Sequence, residues 1–190
     1  LTIGAESWLR NSESGRMKVN TSNDTTVIGE IPTPKSKMID AGIFGLYKKI
    51  IDPKHLQLNA GLRLDYLRTQ NDTLFNRIFN YKIINGEHID IPFTKNILFD
   101  AGIHQDFSYS AHVDLEFSPV KSQKFIFSVA NSYRVASIEE RFKYIDLGNG
   151  IHKGNPSLKP ENGWFSNLRY TFTKNNFILK TDLFGNYLYN

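Results

Sequence analysis

The chain has 190 residues, a net charge of +4, 40% hydrophobic and 13% aromatic content, and a mean hydropathy of -0.38. That is enough apolar material for a core, which excludes disorder, and no apolar run reaches the about 18 residues of a membrane-spanning helix. Cysteine is absent, so disulfides and thiolate metal sites are excluded. The small positive charge forms no Lys/Arg run suited to nucleic acid, which is excluded as a partner.

In chain order, strand-like alternation runs over 1–10 and again over 38–50, joined by 11–37, which is rich in Ser, Asn, Thr, Gly and Pro. A tight turn at Asp52-Pro53-Lys54 leads into the clearest strand, 55–67. There Leu56, Leu58, Ala60, Leu62, Leu64 and Tyr66 share one face, and Gln57, Asn59, Gly61, Arg63 and Asp65 the other. The long connection 68–106 holds Asn85-Gly86 between two apolar stretches, which predicts a two-residue hairpin. Strand 107–117 sets Phe107, Tyr109, Ala111, Val113, Leu115 and Phe117 against Ser108, Ser110, His112, Asp114 and Glu116. After a short connection at 118–123, strand 124–134 carries Phe125, Phe127, Val129 and Tyr133 on one face, interrupted by Asn131. The long 135–163 precedes strand 164–172 (Trp164, Leu168, Tyr170, Phe172), and the short 173–176 precedes strand 177–189 (Phe177, Leu179, Leu183, Tyr187, Tyr189). These seven segments exceed the about 5–6 residues of an average soluble strand. The chain is already in a strand pattern at Leu1 and still in one at Asn190, which reads as a piece of a longer polypeptide.

Alternation alone suits a soluble sandwich as well as a membrane barrel, since each buries one face of every strand. The connections discriminate. They run long, short, long, short, long, short, the asymmetry of outer-membrane barrels with long extracellular loops and short periplasmic turns. In that orientation the apolar faces place Tyr66, Tyr109, Tyr133, Trp164 and Tyr187 near the outer rim, and Tyr47, Phe117, Phe125, Phe172 and Phe177 near the inner rim. Aliphatic residues such as Leu58, Leu62, Val113, Leu115, Val129, Leu168 and Leu179 lie between. Aromatic rings settle at the headgroup level, so two girdles around an apolar band fit a membrane wall. The expected fold is all-β: an antiparallel transmembrane β-barrel fragment of seven strands, with outer-membrane lipid as a partner. Seven strands cannot close in lipid, where each unpaired backbone group is costly.

The most specific stretch is 133–161. Tyr133 and Arg134 end a strand, Ser137, Glu140, Arg141 and Phe142 follow, and Gly154, Asn155, Pro156, Leu158, Lys159, Pro160 and Glu161 form a box before the next strand. This resembles the C-terminal barrel half of TonB-dependent outer-membrane receptors, in which an aromatic-Arg pair, a Glu-Arg-Phe stretch and a Gly-Asn-Pro-x-Leu-Lys-Pro-Glu box recur. Such receptors commonly have Ala-Pro after the Arg, where this chain has Val135-Ala136. The segment 41–66 also resembles the family's strand pairs. The resemblance implies a barrel of about 22 strands, with 1–190 as part of that one barrel domain and the plug domain and remaining strands outside it. It further implies uptake of a scarce ligand (an iron chelate, haem, cobalamin or a saccharide) energised through a TonB complex that contacts the plug. Ligand contacts then fall to the loops 68–106 and 135–163.

The box itself has a structural reading. Gly154 allows a turn that other residues resist, and Pro156 and Pro160 hold the chain extended beside the ladder. No catalytic constellation and no cofactor motif is present, so the chain is not read as an enzyme. His55, His88, His104, His112 and His152 show no metal-ligand spacing, with His55 at a turn, His112 facing the lumen and the other three in long loops. Glu139 and Glu140 are read as partners in surface ion pairs near Arg141, not as an acid–base pair. Glycosylation triplets at Asn20, Asn23 and Asn71 have no supporting context. Arg63, His112, Glu116 and Arg169 are expected to line the wall. The rival readings are a passive outer-membrane channel and a soluble all-β binding module.

Overall fold

The computed structural model describes residues 1–21 and 25–189; Asn23, one of the glycosylation triplets, lies outside them. Seven strands form one antiparallel sheet in which each long strand pairs with the next long strand along the chain. They are β1 (Thr2–Ser12), β4 (Ser36–Asp52), β5 (Leu56–Asn71), β10 (Gly102–Val120), β11 (Gln123–Arg134), β14 (Glu161–Lys174) and β15 (Phe177–Tyr189). These are the seven segments expected from alternation, several of them longer than the pattern alone marked. The intervening connections carry β2 (Arg16–Asn20), β3 (Thr25–Glu30), β6 (Leu74–Phe75), β7 (Phe79–Ile84), β8 (Glu87–Asp90), β9 (Ile97–Phe99), β12 (Tyr144–Asp146) and β13 (Ile151–Lys153). One helical turn, α1 (Ile138–Phe142), completes the chain.

Turn chemistry fixes the short connections. At the β4–β5 turn the Asp52 carboxylate accepts from the Lys54 N–H at 2.9 Å, and the Asp52 carbonyl accepts from the His55 N–H at 3.1 Å. Pro53 supplies the fixed φ that position demands. Asn175 sits at φ 52° between β14 and β15, a left-handed position that Asn tolerates. The expected hairpin joins β7 to β8 through Asn85 at φ 52° and Gly86 at φ 86°, both positive as a primed turn requires.

Register keeps the apolar face continuous across the sheet. Leu64 faces Ile43 on one side and Tyr109 on the other, and Val113 faces Ala60 and Val129. Leu64, Tyr109 and Val113 are each about half exposed at 48–49%, so this face has no cover within the chain. Its aromatic rows are in place. Tyr66 and Phe107 are paired with ring centroids 5.0 Å apart at one end. Phe117, Phe125 and Tyr170 are in register at the other, the last two 4.8 Å apart. From Phe107 to Phe117 is about 33 Å of strand at about 3.3 Å per residue, and a tilt of about 40° turns that into a band about 25 Å tall. That is the apolar height of an outer-membrane wall.

The strands β4, β5 and β10 continue beyond Tyr66 and Phe107, and the best-buried apolar cluster lies there. Met38 and Leu67, on the polar face, pack with Ile138 and Phe142 of α1, all 5% exposed or less. Tyr133 packs against the same cluster, with its hydroxyl close to Asp65 of the polar face. Tyr133 is therefore not an outer-rim aromatic of the lipid face, as alternation placed it. Asn131, 2% exposed and bonded through its amide to the Gly163 carbonyl at 3.3 Å, marks where the simple pattern ends on β11.

Candidate functional site: a loop assembly on the outer end

The turn α1 forms because Ser137 and Glu140 close a capping box. The Glu140 N–H donates to Ser137 Oγ at 3.1 Å, and the Ser137 N–H donates to Glu140 Oε2 at 2.8 Å. A one-turn helix has little stability alone, and its neighbours hold this one from four sides. Arg134 donates to Glu140 at 2.9 Å and to Glu161 at 3.1 Å, tying the end of β11 to α1 and to the start of β14. Arg10 of β1 pairs with Glu139. Arg141, with its side chain 2% exposed, donates to Asp106 of β10 at 2.7 Å. Phe142 lies edge-on to Phe99 of β9 at 6.2 Å and beside the His104 ring at 5.3 Å. The Ser137 N–H and the Arg134 guanidinium together hold the Glu140 carboxyl below the usual carboxylate range.

The box at 154–161 closes over this turn. The Gly154 N–H donates to the Lys143 carbonyl at 2.7 Å, and the Asn155 N–H donates to the Glu140 carbonyl at 3.0 Å. A Cβ on Gly154 would sit 2.7 Å from backbone atoms of Arg141. The glycine is needed for close approach and not for a left-handed turn, since positive φ among glycines occurs at Gly86 and Gly148. Pro156 is likewise not extended. It sits in the turn Asn155-Pro156-Ser157-Leu158, where the Leu158 N–H reaches the Asn155 carbonyl at 3.2 Å and the Ser157 N–H reaches Asn155 Oδ1 at 3.0 Å. Pro160 stands at the entry to β14 and Lys159 is exposed.

The other two long connections join each other. β2 and β3 from the first, and β7 and β8 from the second, make a four-stranded sheet in the order β2-β3-β7-β8. Its inward face carries Lys18, which pairs with Glu30 at 3.1 Å and approaches Asp146 of the third connection at 3.9 Å. The Tyr144 N–H donates to the Pro32 carbonyl at 2.7 Å. The opposite face shows a row of rings, with Tyr81 5.8 Å from Phe79 and 4.1 Å from His88, whose Nε2 lies 2.9 Å from Asp90. Met17 and Val19 extend that face and are exposed.

The sequence-marked residues therefore divide. Tyr133, Arg134, Glu140, Arg141, Phe142, Gly154, Asn155 and Glu161 meet in one assembly that docks the third connection. Leu158 is partly exposed, and Pro156 and Lys159 shape the approach. Glu139 and Glu140 do form ion pairs, but with Arg10 and Arg134, while Arg141 turns inward to Asp106. Arg63 bonds Asp65 and Glu6, Glu116 pairs with Lys124 at 2.6 Å, and Arg169 pairs with Asp182 at 2.7 Å, each on the polar face of the sheet. His104 belongs to β10 and not to a loop, and the His112 ring lies against Gly61. No metal-holding cluster of His, Cys, Asp and Glu occurs among the described residues. Alternation did not reveal Asp106, Asp65, Arg10 or Phe99 as partners. The Ser137-x-x-Glu140 spacing, however, is a readable signal for the turn.

An antiparallel sheet with an uncovered apolar face, two aromatic rows at membrane spacing and interlocked connections on one end defines a segment of an outer-membrane barrel wall. The family model for TonB-dependent receptor-like β-barrels matches residues 3–190, and the chain belongs to that family. Among solved structures, a double mutant of the Serratia marcescens hemophore receptor HasR, in complex with its hemophore HasA and heme, is similar in fold, with a TM-score of 0.65 and 13% identity. The match covers 98% of this chain and 33% of that one. No curated protein matches the chain.

Proposed function

We propose that the parent protein is an outer-membrane receptor that imports a scarce ligand with energy delivered by a TonB complex. The observation that carries this reading is the docked assembly of Tyr133, Arg134, Glu140, Arg141 and the 154–161 box within a chain of the TonB-dependent receptor-like family. In this reading the 190 residues are one part of a single barrel domain of about 22 strands, and a plug domain elsewhere in the parent meets the TonB complex. Ligand contact is assigned chiefly to 68–106, whose β7–β8 hairpin exposes Phe79 and His88 on the outside of the loop sheet. Long loops carried by a rigid scaffold are where binding residues concentrate. The connection 135–163 contributes through its exposed stretch 147–153, because 138–142 is committed to the core.

Uptake of labelled ferric chelates, haem, cobalamin and oligosaccharides by cells carrying the parent protein tests the proposal. Haem is included because the similar receptor is described with heme. Accumulation of one of them should fall when a protonophore collapses the inner-membrane gradient. Accumulation unaffected by the protonophore would identify a passive channel instead.

A further inference from the structure

Charge is distributed unevenly between the two ends of the sheet. The three inner-end stretches 47–57, 116–125 and 172–180 hold seven lysines, no arginine and two acids, Asp52 and Glu116, a net charge of +5. The chain as a whole carries +4, which leaves -1 for all the rest. The rest of the chain has enough acids to balance its cations, and some pair at the outer end, as in Arg10–Glu139, Lys18–Glu30, Arg134–Glu140 and Arg141–Asp106. Lys37, Lys143 and Lys159 there are exposed and form no ion pair among the described residues. The inner end has two acids for seven lysines. Glu116 is taken by Lys124 and Asp52 by His55, while Lys49, Lys54, Lys121 and Lys174 are exposed and form no ion pair among the described residues.

Register tells where these four stand. Lys49 is opposite Leu58, on the apolar face, and Lys174 continues the face of Tyr170 and Phe172. Lys54 and Lys121 occupy the turns directly below the Phe117–Phe125 row. A lysine at such a site lays its methylenes along the apolar wall and lifts its ammonium to the headgroup level. A compact ammonium meets a phosphate there as a point charge. The aromatic row fixes that level, so the spare cations and the lipid phosphates fall at one height.

We infer that Lys49, Lys54, Lys121 and Lys174 form a basic collar that holds anionic phospholipid headgroups of the membrane leaflet at the short-turn end. The inference rests on the outer-membrane reading above. Lys48 and Lys180 face the other way, sharing the faces of Asn59 and Thr171, and are not members.

The full-length parent, reconstituted in vesicles of equal parts phosphatidylethanolamine and phosphatidylglycerol and gently re-extracted, can be read by native mass spectrometry for retained lipid. The wild type should retain phosphatidylglycerol in preference. The variant Lys49→Gln/Lys54→Gln/Lys121→Gln/Lys174→Gln should lose that preference, with each charge contributing at most about fivefold at low ionic strength and less as salt rises. Lys48→Gln/Lys180→Gln should keep it. Equal retention of the two lipids by the wild type, or an intact preference in the four-lysine variant, overturns the collar and leaves a solvated basic rim. Membrane fractionation and heat-dependent gel mobility monitor insertion separately. Failure of the wild type to insert would sink the barrel reading itself, whereas insertion without lipid preference sinks the collar alone.

Discussion

Above the row of Tyr66 and Phe107 this chain is organised like a soluble protein, and below it like a wall between two solvents. The outer end packs Met38, Leu67, Ile138 and Phe142 into a closed cluster and pairs Arg10, Arg134 and Arg141 with its own carboxylates. The band below leaves Leu62, Val113, Phe127 and Leu183 open, each at least 49% exposed. Such an area of apolar surface is a liability in water and the normal state in lipid. The two regions share strands β4, β5 and β10, so the change of solvent occurs within single strands. What covers a strand face, and not the strand sequence by itself, sets which rule applies.

The comparison can be broken at the outer end first. Arg141→Met removes the partner of Asp106 in a dry site, where losing one member of a buried pair costs about 3–5 kcal/mol. The expected outcome is a barrel that still inserts but whose 135–160 connection becomes cleavable by protease on intact cells. Protection equal to wild type would show that Phe142 and the box suffice. In the band the test is sidedness. Val113→Arg puts a charge near mid-height on the lipid face at a cost of about 2–4 kcal/mol, whereas Asp114→Arg stays in the lumen. Assembly of the parent, followed by heat-modifiable mobility, should fail only for the first. Equal assembly of the two would reverse the face assignment.

A smaller effect is expected from Gly154→Ala, where the added methyl meets the Arg141 backbone and overpacking costs about 1–3 kcal/mol. Thermal release of the 135–160 connection, read by limited proteolysis against temperature, should come earlier. An unchanged profile would mean that the box yields without strain. The smallest effect concerns pH. The Glu140 carboxyl is held below the usual range in the folded loop, so its contribution is complete above the ordinary glutamate pKa. It is lost as pH falls through the lowered folded value. Docking of α1 should therefore weaken in acid, and Glu140→Gln, docked less firmly throughout, should flatten that dependence. A fluorophore at exposed Lys143 would report it.

The assignment of ligand contact to the connection 135–163 is narrowed on the same grounds within its part 135–153. Deleting it would remove Ile138 and Phe142 from the core. Deleting 76–95 is the cleaner way to separate ligand contact from barrel integrity, because β7 and β8 contribute nothing to the Met38 cluster.

Sequence alone determined the seven wall strands, the two faces of the clearest of them short of Tyr133, the short turns and the Asn85-Gly86 hairpin. Those features depend on alternation and turn stereochemistry, which are written within a few neighbouring residues. The 133–161 signature was readable as well, yet its physical meaning was not. Tertiary structure decided that β3 pairs with β7 across two connections, that Arg141 turns to Asp106, that Tyr133 points to Asp65, and that Gly154 makes room for the Arg141 backbone. Each of these joins residues far apart in the chain by one contact instead of a repeated pattern. A period exposes a face, but a single long-range contact leaves no period to read.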